Sequence, residues 1–518
     1  MPESDGPRRL PLDFIASVRA FASRWRIRIV LALSALAVLA IVAYVAKRQL
    51  NSRPVLRIGM VESQVSQYMK FTLGNWRQEE HGNVLLEAVP LPYDDLFRAE
   101  NQAGPPLFDV VMIDDPWLAQ LAEEHRLDEV PQAEFADKLR RFSPEFLRVS
   151  WYRHALSHRP AVEQLVGQDR THPISAMLTS ISTSYGLYSL PYAGNFQALV
   201  RHSPNAAEDS FGQALAGGNA DWKKIEAELN IAEKGKVAHF YSRLGSNNSA
   251  LADFLPILWA EGGCLIRRNG DRQESGLRTR PKINPGGASE VWVATNALKL
   301  SLNLAIGHIQ YSRFQDEDVQ KYLLADGNSM GVSWMAFRSY KPASGKAGSG
   351  ENLGWYWMPR VSAGVDPADT CDTDDERSNQ ADAHGVSSIG VWSLGVDARS
   401  TQKHIAWEFI EWQLNELLKA RPTPPARSCD TLGKIGSAPT DQLGGYPTPF
   451  EDQLTCAERT AIRNARTRPS LPQWRDVEEA VGFRIRQAHW RTLPAGDAIE
   501  QADKDLNWIL KRSTGSHN

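Results

Sequence analysis

Residues 114–117, with the sequence Asp-Asp-Pro-Trp, combine two carboxylates with an indole and are well suited to binding a small molecule. They follow an apolar run at 108–113 that is typical of a buried parallel strand, and leucines at helical spacing come after them. Ligands of open α/β sheets bind beyond the carboxyl ends of the strands. Carboxylates accept hydrogen bonds from hydroxyl groups, and an indole offers an apolar face, so the pattern favours a polyhydroxylated ligand. The alternative is that an aspartate only caps the helix and the tryptophan only packs.

The sequence lacks the motifs of common hydrolases and nucleotide-binding enzymes, namely GxSxG, GxxxxGK[ST] and HExxH. Asp114 and Asp115 are adjacent, so their side chains diverge, whereas glycosidase carboxylates face each other about 5–10 Å apart. The acidic segment 366–385 lacks the spacing of an EF-hand, so we predict a solvated loop there rather than a calcium site. We therefore predict a protein that is not an enzyme and that uses no cofactor and no metal.

Length and composition limit which classes of protein the chain can belong to. The chain has 518 residues, which is enough for two or three domains with a large core. Its 58 basic and 61 acidic residues give a net charge of −3, which argues against general nucleic-acid binding. The 16 tryptophans indicate large cores or flat ligand-binding surfaces.

The four cysteines have no CxxC spacing and no neighbouring histidine, so a zinc site is not expected. Outside the cytosol an even number fits two disulfides, for which the sequence allows three pairings. We favour Cys264–Cys371 and Cys429–Cys456, and four free buried thiols are the alternative.

Residues 29–46 contain no charged side chain and are just long enough to cross a bilayer as a helix. Arginines dominate the segment before it, which predicts a cytoplasmic N-terminal arm at 1–28 and places residues 50–518 outside. A cleaved signal peptide is the alternative, but its apolar region is usually shorter and no clean cleavage site follows. We predict an uncleaved, single-pass anchor in the inner (cytoplasmic) membrane, with the remaining chain facing the periplasm or the outside.

After the anchor, strands are predicted at 55–61, 84–89 and 108–113, with helices at 71–80 and around Leu96 between them. This β-α-β-α-β order implies a right-handed, mostly parallel sheet, which is one half of an α/β architecture. Residues 185–200 are predicted to form two strands interrupted at Pro191 and a turn. Further predicted elements are a capped helix starting after Asp221, helices at 291–306 and 403–418, strands at 329–334 and 388–396, and two C-terminal helices.

Five segments, taken in order, resemble the extracytoplasmic solute-binding proteins of ABC importers, in the sugar-binding family related to maltose-binding protein. They are 108–127, 187–204, 328–335, 389–412 and 466–477. The chain departs from the family in retaining a predicted membrane helix, in having Thr440 where a basic residue is common, and in longer loops at 266–288 and 360–387.

The resemblance implies a two-lobe periplasmic-binding-protein fold of type II, with the ligand in the cleft between two α/β lobes. Lobe 1 would comprise residues 55–187 and 395–510, and lobe 2 residues 190–390. The chain would cross between the lobes near 188–195 and return near 390–395. Closure would be a hinge motion that a ligand touching both lobes stabilises.

On lobe 1, the predicted ligand-binding residues follow two strands. Ser63, Gln64 and Gln67 come after the first strand, and Asp114 and Asp115 come after the strand at 108–113. The resemblance matches Asp115 to the ligand-binding carboxylate of the family.

On lobe 2 and at the hinge, the resemblance matches Trp334 to the stacking aromatic of the family. Trp392 lies at the return crossing, Tyr192 and Asn195 lie at the first crossing, and Asn247 follows a strand. Each has a structural alternative: the tryptophans could be core residues, Tyr192 could only shape the hinge, and Asn247 could only favour a turn.

These features predict the solute-binding component of an ABC importer, which binds a sugar or polyol and delivers it to the permease subunits. The protein would be a membrane-anchored monomer that binds no nucleic acid. The alternative function is a tethered binding domain that senses a small solute and signals through a partner.

Overall fold

The structure is a computed structural model, and it describes a defined part of the chain. The described residues are 25, 33–44, 54–63, 65–76, 84–152, 186–202, 210–216, 220–233, 239–269, 272–277, 293–304, 319, 321–323, 329–335, 353–360, 385–420 and 448–515.

Residues 33–44 are helical, and their large apolar side chains, from Leu33 to Tyr44, are exposed. Within the described residues, no helix combines the length and the apolarity that crossing a membrane would require. The ends of the predicted anchor at 29–46 lie outside the described residues, so the anchor stays a prediction.

The remaining elements alternate between strands and helices. The first part of the chain contains β1 Val55–Val61, α1 Val65–Trp76, β2 Leu85–Leu91, α2 Tyr93–Asn101, β3 Val110–Asp114, α3 Asp115–Glu123, α4 Ala136–Leu139, α5 Pro144–Arg148, β4 Trp151–Tyr152, β5 Gly186–Leu187 and β6 Leu190–His202. The middle part contains α6 Ser210–Ala216, α7 Trp222–Glu233, β7 His239–Tyr241, α8 Asn247–Ala260, β8 Ile266–Asn269, β9 Arg272–Ser275, α9 Val293–Leu304, β10 Ser329–Trp334 and β11 Leu353–Tyr356. The last part contains β12 Ile389–Val396, α10 Lys403–Ala420, a 3₁₀ turn Glu451–Gln453, α11 Cys456–Asn464, α12 Trp474–His489 and α13 Ala495–Gly515.

An eight-stranded mixed sheet organises these elements in the order β2-β1-β3-β12-β6-β10-β7, with β11 also paired to β6. The predicted β-α-β-α-β succession at the start is confirmed, and β1 and β3 are parallel with Ile58 opposite Val110. The helix between the first two strands begins at Val65 rather than at the predicted residue 71. The carboxyl ends of β1 and β3 therefore lie at the same edge of the sheet, where the predicted polar residues follow them.

β12 lies in the middle of the sheet, between β3 and β6 and antiparallel to both. The prediction of two strands separated by a turn at 185–200 is wrong, because β6 is one strand of 13 residues. Ala193 pairs with Trp392 and Pro191 pairs with Ser393, so Tyr192 is an extra residue that forms a bulge. A bulge accommodates proline because the ladder is already interrupted there.

The other end of the sheet is built from β7, β10 and β11. β10 is antiparallel to β6, with Trp334 opposite Gln197, and parallel to β7. The predicted strand at 329–334 is confirmed, as is the cap of α7, in which the backbone N–H of Lys224 donates to Oδ1 of Asp221 (2.8 Å).

One buried apolar cluster joins α8 and α9 with the two C-terminal helices α12 and α13, and includes Trp259, Leu298, Val481 and Leu506. α8 and α12 approach closely at Gly482, where an added Cβ would lie 2.1 Å from the carbonyl oxygen of Asn247. A side chain at that position would force the two helices apart.

Cys264 and Cys456 are both disulfide-bonded, so the alternative of free thiols is wrong for these two residues. Cys371 and Cys429 lie outside the described residues. The pairing of the four cysteines therefore stays a prediction.

Candidate functional site

A cavity of about 360 Å³ opens at the edge of the sheet where β1, β2 and β3 end. One wall comes from the segments after these strands: Glu62 and Ser63 follow β1, Tyr93 and Asp94 follow β2, and Asp114 is the last residue of β3. This is the edge at which open α/β sheets bind ligands.

The opposite wall comes from the segment after β7 and from the end of β10. Arg243 follows β7, and Ser246 and Asn248 lie at the start of α8, where the Ser246 hydroxyl caps the helix by accepting from the backbone N–H of Ser249 (3.3 Å). Trp334 ends β10. Polar groups and an indole therefore face the carboxylates of the first wall across one cavity.

The floor comes from the two central strands. Trp392 lies opposite Asp114 on β3, and Gly390 lies opposite Asn195 on β6. Residues directly opposite in antiparallel strands project to the same face of the sheet. The register thus presents Asp114, Trp392 and Asn195 together, and all three line the cavity.

An aromatic cluster supports Trp392 from behind. Its ring lies edge-on to Tyr93 (6.1 Å between centroids) and to Trp117 (5.9 Å), and Tyr93 and Trp117 are 4.6 Å apart. Trp117 is fully buried, so the tryptophan of the Asp-Asp-Pro-Trp stretch is a core residue. The cluster holds Trp392 in one orientation, partly exposed to the cavity.

Trp334 is held between a cation and a glycine. The guanidinium of Arg243 lies 5.2 Å from the centre of the indole. On β12, an added Cβ at Gly390 would lie 3.0 Å from Cζ3 of Trp334. Glycine at position 390 therefore leaves the room that the indole occupies.

Arg468 is the buried centre of an ion-pair network beneath the first wall. Its guanidinium bonds to the Asp115 carboxylate, with Nε 3.3 Å from Oδ2, and lies 3.4 Å from Oδ1 of Asp114 and 4.0 Å from Glu478. Asp115 also accepts from the backbone N–H of Val391 (3.1 Å). The carboxylate of Asp115 is thus bonded to Arg468 and to the backbone of β12, and it does not line the cavity.

Asp114 has an unusual ionisation equilibrium. Its pKa is raised to about 7, mainly because burial penalises the charged form. Arg468 and the hydrogen bond that the Tyr93 hydroxyl donates to Oδ2 (2.8 Å) lower this pKa, while the Asp115 and Glu478 carboxylates raise it. Near neutral pH the group can accept hydrogen bonds as a carboxylate or donate one as an acid.

This pKa predicts how stability depends on pH. Because the folded-state pKa of Asp114 is raised, the group stabilises the fold at low pH, and that contribution is lost as the pH rises from about 4 to about 7. We expect Asp114→Asn to flatten the fall in unfolding free energy over this range, as measured by urea titration at several pH values. An unchanged slope in the variant would contradict the raised pKa.

Glu100 allows a second test of the same effect outside the cavity, because burial raises the pKa of this carboxyl to about 8. Glu100 does not line the cavity, and Asp397, Arg399 and Arg126 surround it. Glu100→Gln is expected to flatten the fall in the free energy of unfolding with rising pH, up to about pH 8. It is not expected to change ligand binding.

The structure brings together five of the residues predicted to bind ligand. Ser63, Asp114, Asn195, Trp334 and Trp392 all line the cavity. Their roles in binding stay predictions, but their shared location agrees with the two-sided site expected from the sequence.

Other predicted residues lie elsewhere. Besides Asp115, Tyr192 is buried in the bulge of β6, and Gln67 is exposed on α1. Asn247 hydrogen-bonds to Glu479 and Arg486 on α12 and thus joins two helices. None of these side chains lines the cavity, and Gln64 lies outside the described residues.

Several cavity residues were missed from the sequence, among them Tyr93, Arg243 and Arg468. Tyr93 and Arg243 directly follow the carboxyl ends of β2 and β7, so the rule that identified Ser63 and Asp114 could have found them. Arg468 lies between α11 and α12, outside any helix or strand. Nothing in the local sequence pattern identified Arg468 as a residue of the site.

Comparison with solved structures gives similar folds over most of the chain. Maltose-bound MalE3 from T. maritima is 17% identical, with a TM-score of 0.58, and the alignment covers 88% of this chain and 100% of that one. An ABC transporter solute-binding protein from Thermotoga lettingae TMO, bound to alpha-D-tagatose, is 15% identical with a TM-score of 0.59 and the same coverage. One from Agrobacterium radiobacter K84, in complex with ribitol, is 11% identical with a TM-score of 0.57, covering 88% of this chain and 98% of that one.

The chain has the fold of the ABC-transporter solute-binding proteins. No family model and no curated protein matches the sequence. The mixed α/β architecture predicted for the main part of the chain is confirmed, and it matches two-lobe binding proteins. Two of these neighbours are described as ABC transporter solute-binding proteins, and the third is bound to maltose.

Proposed function

We propose that the chain is the solute-binding component of an ABC importer and binds a sugar or polyol in the cavity. The observation that carries this proposal is the shared location of Trp334, Trp392, Asp114 and Asn195. Indoles provide apolar faces for sugar rings, and carboxylate and amide groups provide several hydrogen-bonding positions for hydroxyls. Among the structural neighbours, one is bound to maltose, one to tagatose and one to ribitol.

Delivery to a permease and anchoring to the inner membrane are part of the same proposal. The uncharged segment 29–46, with arginines before it, supports a tether that keeps the binding domain on the extracytoplasmic side. A monomer anchored in this way would meet its permease in the plane of the membrane.

The proposal predicts ligand-induced stabilisation. At a ligand concentration of 100 times the dissociation constant, the free energy of unfolding should rise by about 2.7 kcal/mol. A thermal-shift screen of the purified protein against sugars, polyols and amino acids measures this directly. Intrinsic fluorescence provides a second signal, since Trp334 and Trp392 line the cavity.

The amino acids in the screen serve as the comparison class. Stabilisation by a sugar or polyol and not by amino acids would support the proposed ligand class. Stabilisation by amino acids alone, or by no compound in the panel, would contradict it.

A further inference from the structure

The carboxylates that line the cavity are accessible to a ligand. Glu62 is exposed, and the side chain of Asp94 is 62% exposed. Asp114 is more enclosed, with 11% of its side chain exposed. All three lie on the wall that follows β1, β2 and β3. The same wall therefore presents two exposed acidic side chains and one enclosed acidic side chain to the cavity.

The guanidinium groups of the cavity are enclosed and already paired with carboxylates. The Arg243 side chain is 2% exposed and bonds to Asp253, with Nε 2.9 Å from Oδ1. The Arg468 side chain is 7% exposed and bonds to Asp115. Arg475, which pairs with Asp94 at 2.7 Å, has 20% of its side chain exposed. The positive charges are thus less accessible than the two exposed acids of the wall, Glu62 and Asp94, and they are offset by their partners.

The charge balance of the cavity is negative among the described residues that line it or are ion-paired with its charged lining residues. The guanidinium groups are those of Arg243, Arg468 and Arg475. The carboxyl groups are those of Glu62, Asp94, Asp114, Asp115, Asp253 and Glu478. The balance stays negative when Asp114 is protonated. Such a cavity attracts cations and repels anions over short distances.

The indole of Trp392 adds a surface that also favours a cation. Its ring is partly exposed to the cavity and lies opposite Asp114 in the sheet. An ammonium group near that ring and that carboxyl would gain a cation–π contact and a charge-assisted hydrogen bond. A carboxylate in the same place would meet the negative face of the ring and another acid.

We propose that the cavity selects a hydroxyl-rich ligand that carries a basic nitrogen, such as an amino sugar or amino polyol, and discriminates against ligands that carry a carboxylate. This inference rests on the proposed function, because it refines the chemical class of the same ligand. The hydroxyl groups account for recognition by Asn195, the apolar C–H groups of the ligand account for packing on the indoles, and the ammonium group matches the acidic wall.

Matched sugars test this selectivity on the full chain. The probes are D-glucose, D-glucosamine and D-glucuronate, and D-galactose, D-galactosamine and D-galacturonate, with dissociation constants measured by calorimetry at low ionic strength. We expect the amino form to bind about tenfold or more tightly than the acid form within a series, because the two differ by two charges. The preference should shrink as salt is added.

The variant Glu62→Gln/Asp94→Asn removes the two exposed carboxylates of the wall. It should reduce the ratio of the dissociation constants of acid and amino forms at least about threefold. The matched control is Glu134→Gln/Asp137→Asn, which removes two exposed carboxylates that do not line the cavity. This control should leave the ratio unchanged.

The outcomes separate the two proposals. If the neutral sugars bind and the acid forms bind as tightly as the amino forms, the selectivity is overturned while sugar binding stands. An equal loss of selectivity in both double variants would also overturn it, since net charge rather than the cavity wall would then be responsible. If none of the six sugars binds and the wider polyol screen is also negative, sugar binding itself is wrong and the selectivity falls with it.

Discussion

Replacing Arg468 by glutamine is expected to lower the free energy of unfolding by about 3–5 kcal/mol. The side chain is 7% exposed and is paired with Asp115, Asp114 and Glu478. Its loss removes the charge that compensates the buried Asp115 and Asp114 carboxylates, while Glu478 keeps its ion pair with Arg475 at 3.5 Å. Removing one partner of a buried ion pair costs more than the pair itself contributes. Urea unfolding followed by tryptophan fluorescence measures the change through the midpoint of the transition.

The control for this experiment is Arg463→Gln. Arg463 forms an ion pair with Glu451 at 3.2 Å, but its side chain is 63% exposed, so the loss should stay below about 1 kcal/mol. The double variant Arg468→Gln/Asp115→Asn should recover part of the stability, because it removes a buried charge together with its partner. Equal losses in Arg468→Gln and Arg463→Gln would show that the network does not hold the wall in place.

Replacing Trp334 by alanine is expected to weaken binding of a sugar or polyol by about tenfold or more. Large aromatic side chains in enclosed sites contribute more to affinity than most other contacts, because they bury a wide apolar face. Trp334 lines the cavity, and Arg243 on one side and Gly390 on another fix its position. Titration calorimetry with a ligand from the screen measures the loss.

Two further variants make the result specific. Trp334→Phe keeps an aromatic face and should lie between the wild type and the alanine variant. Trp508→Ala removes an indole that is 58% exposed on α13 and packs against Arg512 at 4.6 Å, away from the cavity lining, so it should bind like the wild type. Wild-type affinity in Trp334→Ala would remove this residue from the proposed site.

The sequence predicted the strand ends of the site well, because local patterns determine them. Apolar runs with β-branched residues identified β1 and β3, and the topology of parallel strands then placed Ser63 and Asp114 at one edge. Trp334 and Trp392 came from the family resemblance together with their strands. These predictions needed only short segments and a known rule of sheet architecture.

The sequence could not predict which of two adjacent acids faces the cavity. That choice depends on Arg468, which is more than 350 residues away in the chain and pairs with Asp115 rather than leaving it for a ligand. The burial of Tyr192 and the use of Asn247 to join α8 to α12 also depend on distant partners. Long-range packing, rather than local propensity, decided each of these cases.

The bulge at Tyr192 shifts which side chains of β6 face each side of the sheet. In a regular strand, side chains alternate between the two faces of the sheet, so Asn195 would lie on the face opposite to Leu190. Its amide would then point away from the cavity. The additional residue shifts this alternation, so that Asn195 emerges beside Gly390 on the side that Trp392 occupies. Tyr192 does not line the cavity, but the bulge that it forms determines that the Asn195 amide does.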